Sequence, residues 1–302
     1  MSDRIESLPY GHARTRRRLA DFVALTKPRL VMLVLTTTLV GFILGSPERV
    51  DLGLLVLTIL GTALAAAGSL ALNQYLERDL DAKMARTRTR PLPDGRLQPI
   101  EALAFGVVLA SAGLVALALF AGPLAAVVTA VTVAWYLFFY TPLKTRTSLA
   151  TVVGAVPGAL PPITGWVAAR GELGGGAAAL FAILFLWQLP HFLALAWLYR
   201  DEYKAAGIVV LPASDPGGSM TARQMLLNLA VLVPASLLPG LVGIAGGMYV
   251  GGALLLGGFF VAAGASLAVT RSRASAKRVF IASLVYLPAL LTLLAFDRVP
   301  VA

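Results

Sequence analysis

From Leu25 onward the chain is built of long apolar runs separated by short polar segments. Nine such runs fall at approximately 25–45, 51–72, 101–121, 124–142, 148–168, 177–198, 225–245, 248–269 and 278–296. Each has roughly the 20 residues an α-helix needs to cross about 30 Å of hydrocarbon. An isolated strand would leave its backbone groups unsatisfied in lipid, and the runs lack the period-two alternation of a barrel. The pattern predicts an all-α polytopic membrane bundle of about nine helices. The boundary between the seventh and eighth spans is marked only by Gly246-Gly247 and neighbouring glycines. The expected organisation is a basic tail over 1–24 and a single transmembrane domain over 25–302.

Composition agrees with the pattern. The 302 residues are 58% hydrophobic and 13% charged. The opening MSDRIESLPYGHARTRRRLADF stays polar too long for a secretory signal, and no small-residue cleavage pattern follows the first apolar run. The absence of cysteine excludes disulfides and thiolate metal sites. A formal charge of +10 raises the question of a polyanionic partner, and the position of the charges answers it. Seven Lys and Arg precede or open the first span, six follow the second, and two, three and four follow the fourth, sixth and eighth. Only Arg49, Arg170 and Arg298 fall on the other side. The rich side is then cytoplasmic, with the N-terminus there and the C-terminus opposite. The run Arg14 to Arg18 reads as an anchor on anionic lipid, not a nucleic-acid site.

The densest chemistry lies in 73-NQYLERDLDAKMARTRTRPLPDG-95, where the second span meets the surface. Asn73, Glu77 and Asp81 stand at i, i+4 and i+8, so they share one helix face over about 12 Å. Hard oxygen ligands with no His or Cys nearby suit Mg²⁺, which takes a few carboxylates and completes its shell with water and phosphate. Asp79 lies on another face and reads as solvated or Arg-paired. A cation channel would not crowd its acids with Lys83, Arg86, Arg88 and Arg90. A metal that bridges carboxylates to a diphosphate wants both signs. The plain alternative is a salt-bridged loop, against which stands the buried carboxamide one turn deeper.

The run N-x-x-x-E-x-x-x-D-A-K-M-x-R-T-x-x-R-P-L resembles the first signature of the UbiA superfamily of intramembrane prenyltransferases, and DAKMARTRTRPLP resembles its heme-farnesylating branch. The stretches 25-LTKPRLV-31, 154-GAVPGALPPITGW-166 and 186-LWQLPHFLALAWLYRDEYKAAGIVVLP-212 agree, so the likeness covers nearly all of the chain after about residue 20. The resemblance implies a helical bundle in the bacterial inner membrane. Its cytoplasm-facing cavity would bind Mg²⁺ and farnesyl diphosphate, with heme B as acceptor and a downstream heme-modifying membrane enzyme as a possible partner. It also implies that Asn73, Glu77 and Asp81 serve the metal–diphosphate site and that Arg86, Arg90 and Lys144 hold the diphosphate. Glu77 stands where many members have Asp. The second acidic segment departs further, because Asp201 is followed four residues later by Ala205 rather than an acid. Within it Asp201 is expected as a metal ligand, and Tyr199, Arg200, Tyr203 and Lys204, together with Lys83, as substrate contacts. Glu202 is expected to be solvated.

Of the two histidines, His12 sits in the charged tail and reads as incidental. His191 follows Pro190 in the sixth span, about 15 Å of helix before Asp201. With heme implied as acceptor, it could be an axial ligand, a propionate contact or a proton acceptor; a packing histidine is the bland alternative. Span five carries Pro157, Pro161 and Pro162 among glycines, a kinked span that as a group opens room for a planar ring. Trp166 and Trp187 read as packing residues. Three rivals remain open at this point: another prenyltransferase of the superfamily acting on a quinone or chlorin precursor, a transporter using the carboxylates as a cation site, and a non-catalytic heme-handling subunit.

Overall fold

The structure, a computed structural model, describes residues 10–299, with side chains from Arg17 onward. Nine helices long and apolar enough to cross a membrane lie among the described residues. A basic helix, α1 (Tyr10–Leu25), occupies the segment expected as a tail, and α2 (Pro28–Gly45) is the first span. There follow α3 (Leu52–Asp81), α4 (Pro99–Ala121), α5 (Pro123–Leu143), α6 (Ala150–Arg170) and α7 (Gly175–Leu198). A short surface helix, α8 (Arg200–Ala206), precedes α9 (Ser219–Leu241), α10 (Gly247–Thr270) and α11 (Arg273–Phe296). His12, Arg14 and Arg16 fall where side chains are not described; Arg17 is exposed, and Arg18 pairs with Glu101 at the start of α4. The expected spans match these helices within a few residues, except that α3 continues to Asp81 and that α9 and α11 begin six and five residues earlier than expected.

Small residues set the closest helix contacts. A Cβ on Gly41 of α2 would lie 1.9 Å from the Pro162 carbonyl oxygen, and one on Gly165 of α6 would lie 2.0 Å from that of Thr38. These two helices therefore touch backbone to backbone, the contact a membrane bundle uses where apolar burial cannot drive association. Gly68 and Gly113 do the same for α3 and α4, each 2.3 Å from a facing backbone nitrogen if given a Cβ. The main core lies between α6, α7 and α9–α11, with Trp166, Tyr249, Phe260 and Tyr286 buried in it. The Tyr249 hydroxyl donates to the Ser236 carbonyl at 2.7 Å, and Ser236 also meets the Tyr286 hydroxyl, so the buried phenols are paired.

Two of the spans are irregular, α6 at its middle and α5 near the charged end. Helix α6 breaks at Leu160, where Pro161 and Pro162, which carry no backbone N–H, open a second segment. Helix α5 ends in a π-helical stretch, Trp135–Tyr140, a widened turn of the kind found at functional sites.

Candidate active site

Between Ser69 and Asp81 α3 contains no glycine or proline, and nothing ends the helix where it leaves the apolar layer. Its last turns carry Asn73, Glu77 and Asp81 down one face, and all three side chains are buried, at 1, 9 and 2% exposure. Asp79, off that face, is 87% exposed with Arg78 3.9 Å away.

Each rung of this ladder meets a cation from a different part of the chain. Lys27 Nζ lies 3.4 Å from Asn73 Oδ1, Lys144 Nζ 2.6 Å from Glu77 Oε1, and Arg90 Nη1 2.6 Å from Asp81 Oδ2. The chain is folded locally to bring them there. The Thr87 hydroxyl donates to the Asp81 carbonyl at 2.7 Å, turning the segment after α3 back so that Arg90 returns to the helix end. The Lys144 carbonyl accepts from Val209 N–H at 2.8 Å, which ties the end of α5 to the segment after α8. The π-helical stretch aims Tyr136, whose hydroxyl donates to Asn73 Oδ1 at 3.1 Å. Asn73 Nδ2 in turn donates to Thr141 Oγ1 at 3.0 Å. Tyr140 lies under Lys144, with Nζ 4.4 Å from the ring centre.

These residues line a cavity of about 300 Å³. Its charged lining is four basic groups, Lys27, Arg86, Arg90 and Lys144, against two acids, Glu77 and Asp81. That excess of positive charge suits an anion and does not suit a cation pathway. Another part of the wall is apolar or small: Ala150, Gly154, Phe192, Leu195 and Ala196. A Cβ on Gly154 would lie 2.5 Å from the Tyr140 ring, so glycine there keeps the cavity open.

Lys27 has no spacing in the sequence to single it out. It caps α2 ahead of Pro28 with φ +48°, a left-handed conformation costing about 1–2 kcal/mol for a residue with a Cβ. Burial, with Arg90 and Lys144 nearby, pushes its pKa down to about 8, and an anion arriving in the cavity favours the charged form again. Its sequence signal is its place in 25-LTKPRLV-31, a stretch that shares the family likeness but gives Lys27 no role of its own. Tyr136 and Tyr140 are hidden in WYLFFY, which reads simply as apolar.

The donor set fits Mg²⁺ in kind: two carboxylates and a carboxamide, all oxygen, on one face, with phosphate-binding cations opposite. Among the described residues no group of three or more His, Cys, Asp or Glu gathers around a point, so a metal here needs water and phosphate oxygens to fill its shell. Mg²⁺ accepts such a shell readily.

Several sequence-expected residues are not brought to the cavity. Asp201, expected as a metal ligand, is 94% exposed and 3.9 Å from Arg200 Nε, because the chain breaks at Tyr199 and α8 turns its acidic first turn to the surface. Lys83, Arg200 and Lys204 also lie off the lining, Arg200 over the Trp197 ring at 5.5 Å. Glu202 is exposed. Tyr203 does line the cavity, and Tyr199 lies outside it beneath Arg86, 5.7 Å from ring centre to guanidinium. His191 is on α7, off the lining, with Nδ1 2.8 Å from Ser283 Oγ of α11. Trp166 and Trp187 both pack, Trp187 donating to the Ser283 carbonyl at 2.8 Å.

A family model described as the UbiA prenyltransferase family matches residues 34–287. The chain is 47% identical over 289 residues to the protoheme IX farnesyltransferase of Solibacter usitatus, covering 93% of this chain and 99% of that protein. It is 44% identical to the protoheme IX farnesyltransferase of Myxococcus xanthus, covering 99% of both. In fold it is similar to a solved digeranylgeranylglyceryl phosphate synthase structure, with a TM-score of 0.80 and 18% identity over 93% of this chain and 98% of that one. It is also similar to a UbiA homologue from Archaeoglobus fulgidus bound to GPP and Mg²⁺, with a TM-score of 0.65 and 17% identity over 91% of this chain and 99% of that one.

Proposed function

The chain belongs to the UbiA prenyltransferase family, and from that premise we propose that it is a Mg²⁺-dependent enzyme transferring the farnesyl group of farnesyl diphosphate to a vinyl group of heme B. The products are heme O and diphosphate. The observation that carries the donor side is the ladder of Asn73, Glu77 and Asp81 with one cation on each rung, in a cavity of net positive lining. The acceptor side rests on the near full-length relatives, which are protoheme IX farnesyltransferases.

Lys27, Arg86, Arg90 and Lys144 turn to the diphosphate oxygens when substrate enters, the guanidiniums gripping in pairs of hydrogen bonds and the ammoniums acting as point charges. Asn73, Glu77 and Asp81 would hold Mg²⁺, which when bound would supply neutralising charge to the diphosphate. The allylic C–O bond breaks with its electron pair leaving on the diphosphate, and the fixed cations stabilise that growing charge. The π pair of the heme vinyl group forms the new carbon–carbon bond. Water adds to the resulting cation beside the porphyrin and loses a proton, leaving a hydroxyl on the product.

The apolar wall of Phe192, Leu195 and Ala196 receives the prenyl chain and excludes water from the allylic cation before the acceptor captures it. Burial of the chain contributes up to roughly 10 kcal/mol at about 0.8 kcal/mol per carbon, before ordering costs. The charge distribution between spans supports a cavity mouth on the cytoplasmic face of the bacterial plasma membrane.

Mass analysis of products from the purified full chain in detergent, with heme B and farnesyl diphosphate, tests the reading. A farnesylated and hydrated heme that forms with Mg²⁺ and not with chelator is the expected result. Transfer to a quinone precursor and none to heme would overturn the acceptor, and no transfer at all would overturn the activity.

A further inference from the structure

We propose that Ser283 is a positioning residue that holds His191 in its Nδ1–H tautomer and thereby presents Nε2 as an axial ligand for the iron of the heme substrate. This rests on heme being the acceptor.

The chain of hydrogen bonds fixes the protons. Ser283 Oγ lies 2.6 Å from the Phe280 carbonyl oxygen, one turn back on α11, and a carbonyl can only accept. A hydroxyl has one proton, and it is committed to that bond. Ser283 Oγ therefore accepts from its other neighbour, His191 Nδ1, at 2.8 Å. A neutral imidazole protonated at Nδ1 carries a bare lone pair at Nε2. Histidines that bind iron or zinc are commonly held this way, the nitrogen away from the metal donating to an oxygen.

The ring is also fixed in orientation. Trp187, one turn earlier on α7, stacks on it with centroids 5.0 Å apart and planes at 23°. Phe280 of α11 covers it likewise at 4.9 Å and 29°. The Trp187 indole N–H is itself bonded to the Ser283 carbonyl, so two side chains of α7 bond to this one residue of α11. Phe192 meets the ring edge-on, with centroids 5.4 Å apart and planes at 65°. Nδ1 is occupied, and Nε2 takes no hydrogen bond from the described residues. His191 keeps partial exposure, although it lies within a span. Leu195, one turn nearer the charged end on the same stripe of α7, lines the diphosphate cavity, as does the adjacent Phe192. His191 is itself off that lining, and a heme held there would sit about one helical turn from the residues that receive the prenyl chain.

A hydrogen bond that merely joins two helices in lipid gives the same coordinates, so the test reads the iron. Ferrous heme B is added to the full chain in detergent and the iron–histidine stretching band is recorded by resonance Raman spectroscopy. The band is expected in the wild type, absent in His191→Ala, and restored there by added imidazole. In Ser283→Ala it is expected to shift to lower frequency, with heme affinity about tenfold weaker, the size of effect typical of losing such an outer partner. Trp187→Phe, which removes a bond to the same residue without touching Nδ1, is expected to leave the band in place. An unchanged band in Ser283→Ala, or a band that persists in His191→Ala, overturns the inference even if heme is still farnesylated. A wild type that farnesylates a quinone precursor and never binds heme overturns the acceptor as well.

Discussion

The chain has two acidic, basic-flanked segments at its charged end, one after the second span and one after the sixth, and they end in opposite environments. In the first, α3 continues unbroken to Asp81, and its three polar rungs are buried at 9% exposure or less. In the second, α7 stops at Leu198, Tyr199 leaves helical geometry, and α8 starts in a new direction with Asp201 94% exposed. Similar composition thus gives a cavity wall in one place and a solvated face in the other. What separates them is whether the span helix carries on past the apolar layer. A continuing helix keeps the i, i+4, i+8 face aligned with the bundle interior, whereas a break re-aims every side chain beyond it. Of the polar run 199–204 only Tyr203 returns to the cavity, followed further along by Ile208, Val209 and Val210.

The largest expected effect is removal of the metal: chelation should reduce farnesyl transfer to background, measured by product mass, and restored Mg²⁺ should recover it. Next comes Asp81→Ala, expected to lower transfer by about 10²- to 10³-fold, the scale of losing a group that stabilises developing charge. Asp201→Ala is the matched control. It is expected to stay within about twofold of wild type, as exposed surface substitutions generally do little.

Glu77→Ala should act on stability too. It leaves the Lys144 ammonium, 16% exposed, without its carboxylate, and breaking such a pair from one side costs about 3–5 kcal/mol. Thermal unfolding in detergent should show a lower midpoint for Glu77→Ala, with part of the loss recovered in the double variant with Lys144→Met. Gly154→Val places its side chain against the Tyr140 ring and is expected to raise the KM for farnesyl diphosphate with a smaller change in kcat. The smallest effect is expected for Lys204→Ala, whose side chain lies off the cavity, with kinetics close to wild type.

Much of this was legible in the amino-acid order. Run length alone locates the spans, because hydrocarbon thickness sets a minimum helix length. The shared face of Asn73, Glu77 and Asp81 follows from their spacing. Lys27 was not legible: its side chain reaches Asn73 through a left-handed cap that packing of α2 against its neighbours selects, and no local pattern encodes it. Tyr136 was hidden by a π-helical turn, which shifts the register that a 3.6-residue period assumes. The displacement of Asp201 was equally invisible, since neither glycine nor proline marks the break at Tyr199. The basic segment before the first span gave no sign of the pairing of Arg18 with Glu101.

The contrast between the two acidic segments is tested most directly by binding of a non-reactive farnesyl thiodiphosphate, followed by titration calorimetry in Mg²⁺, to the wild type, Asp81→Asn and Asp201→Asn. Near-complete loss of binding in Asp81→Asn with wild-type affinity in Asp201→Asn is the expected result. Equal losses in the two variants would place the second segment in the site and contradict the account.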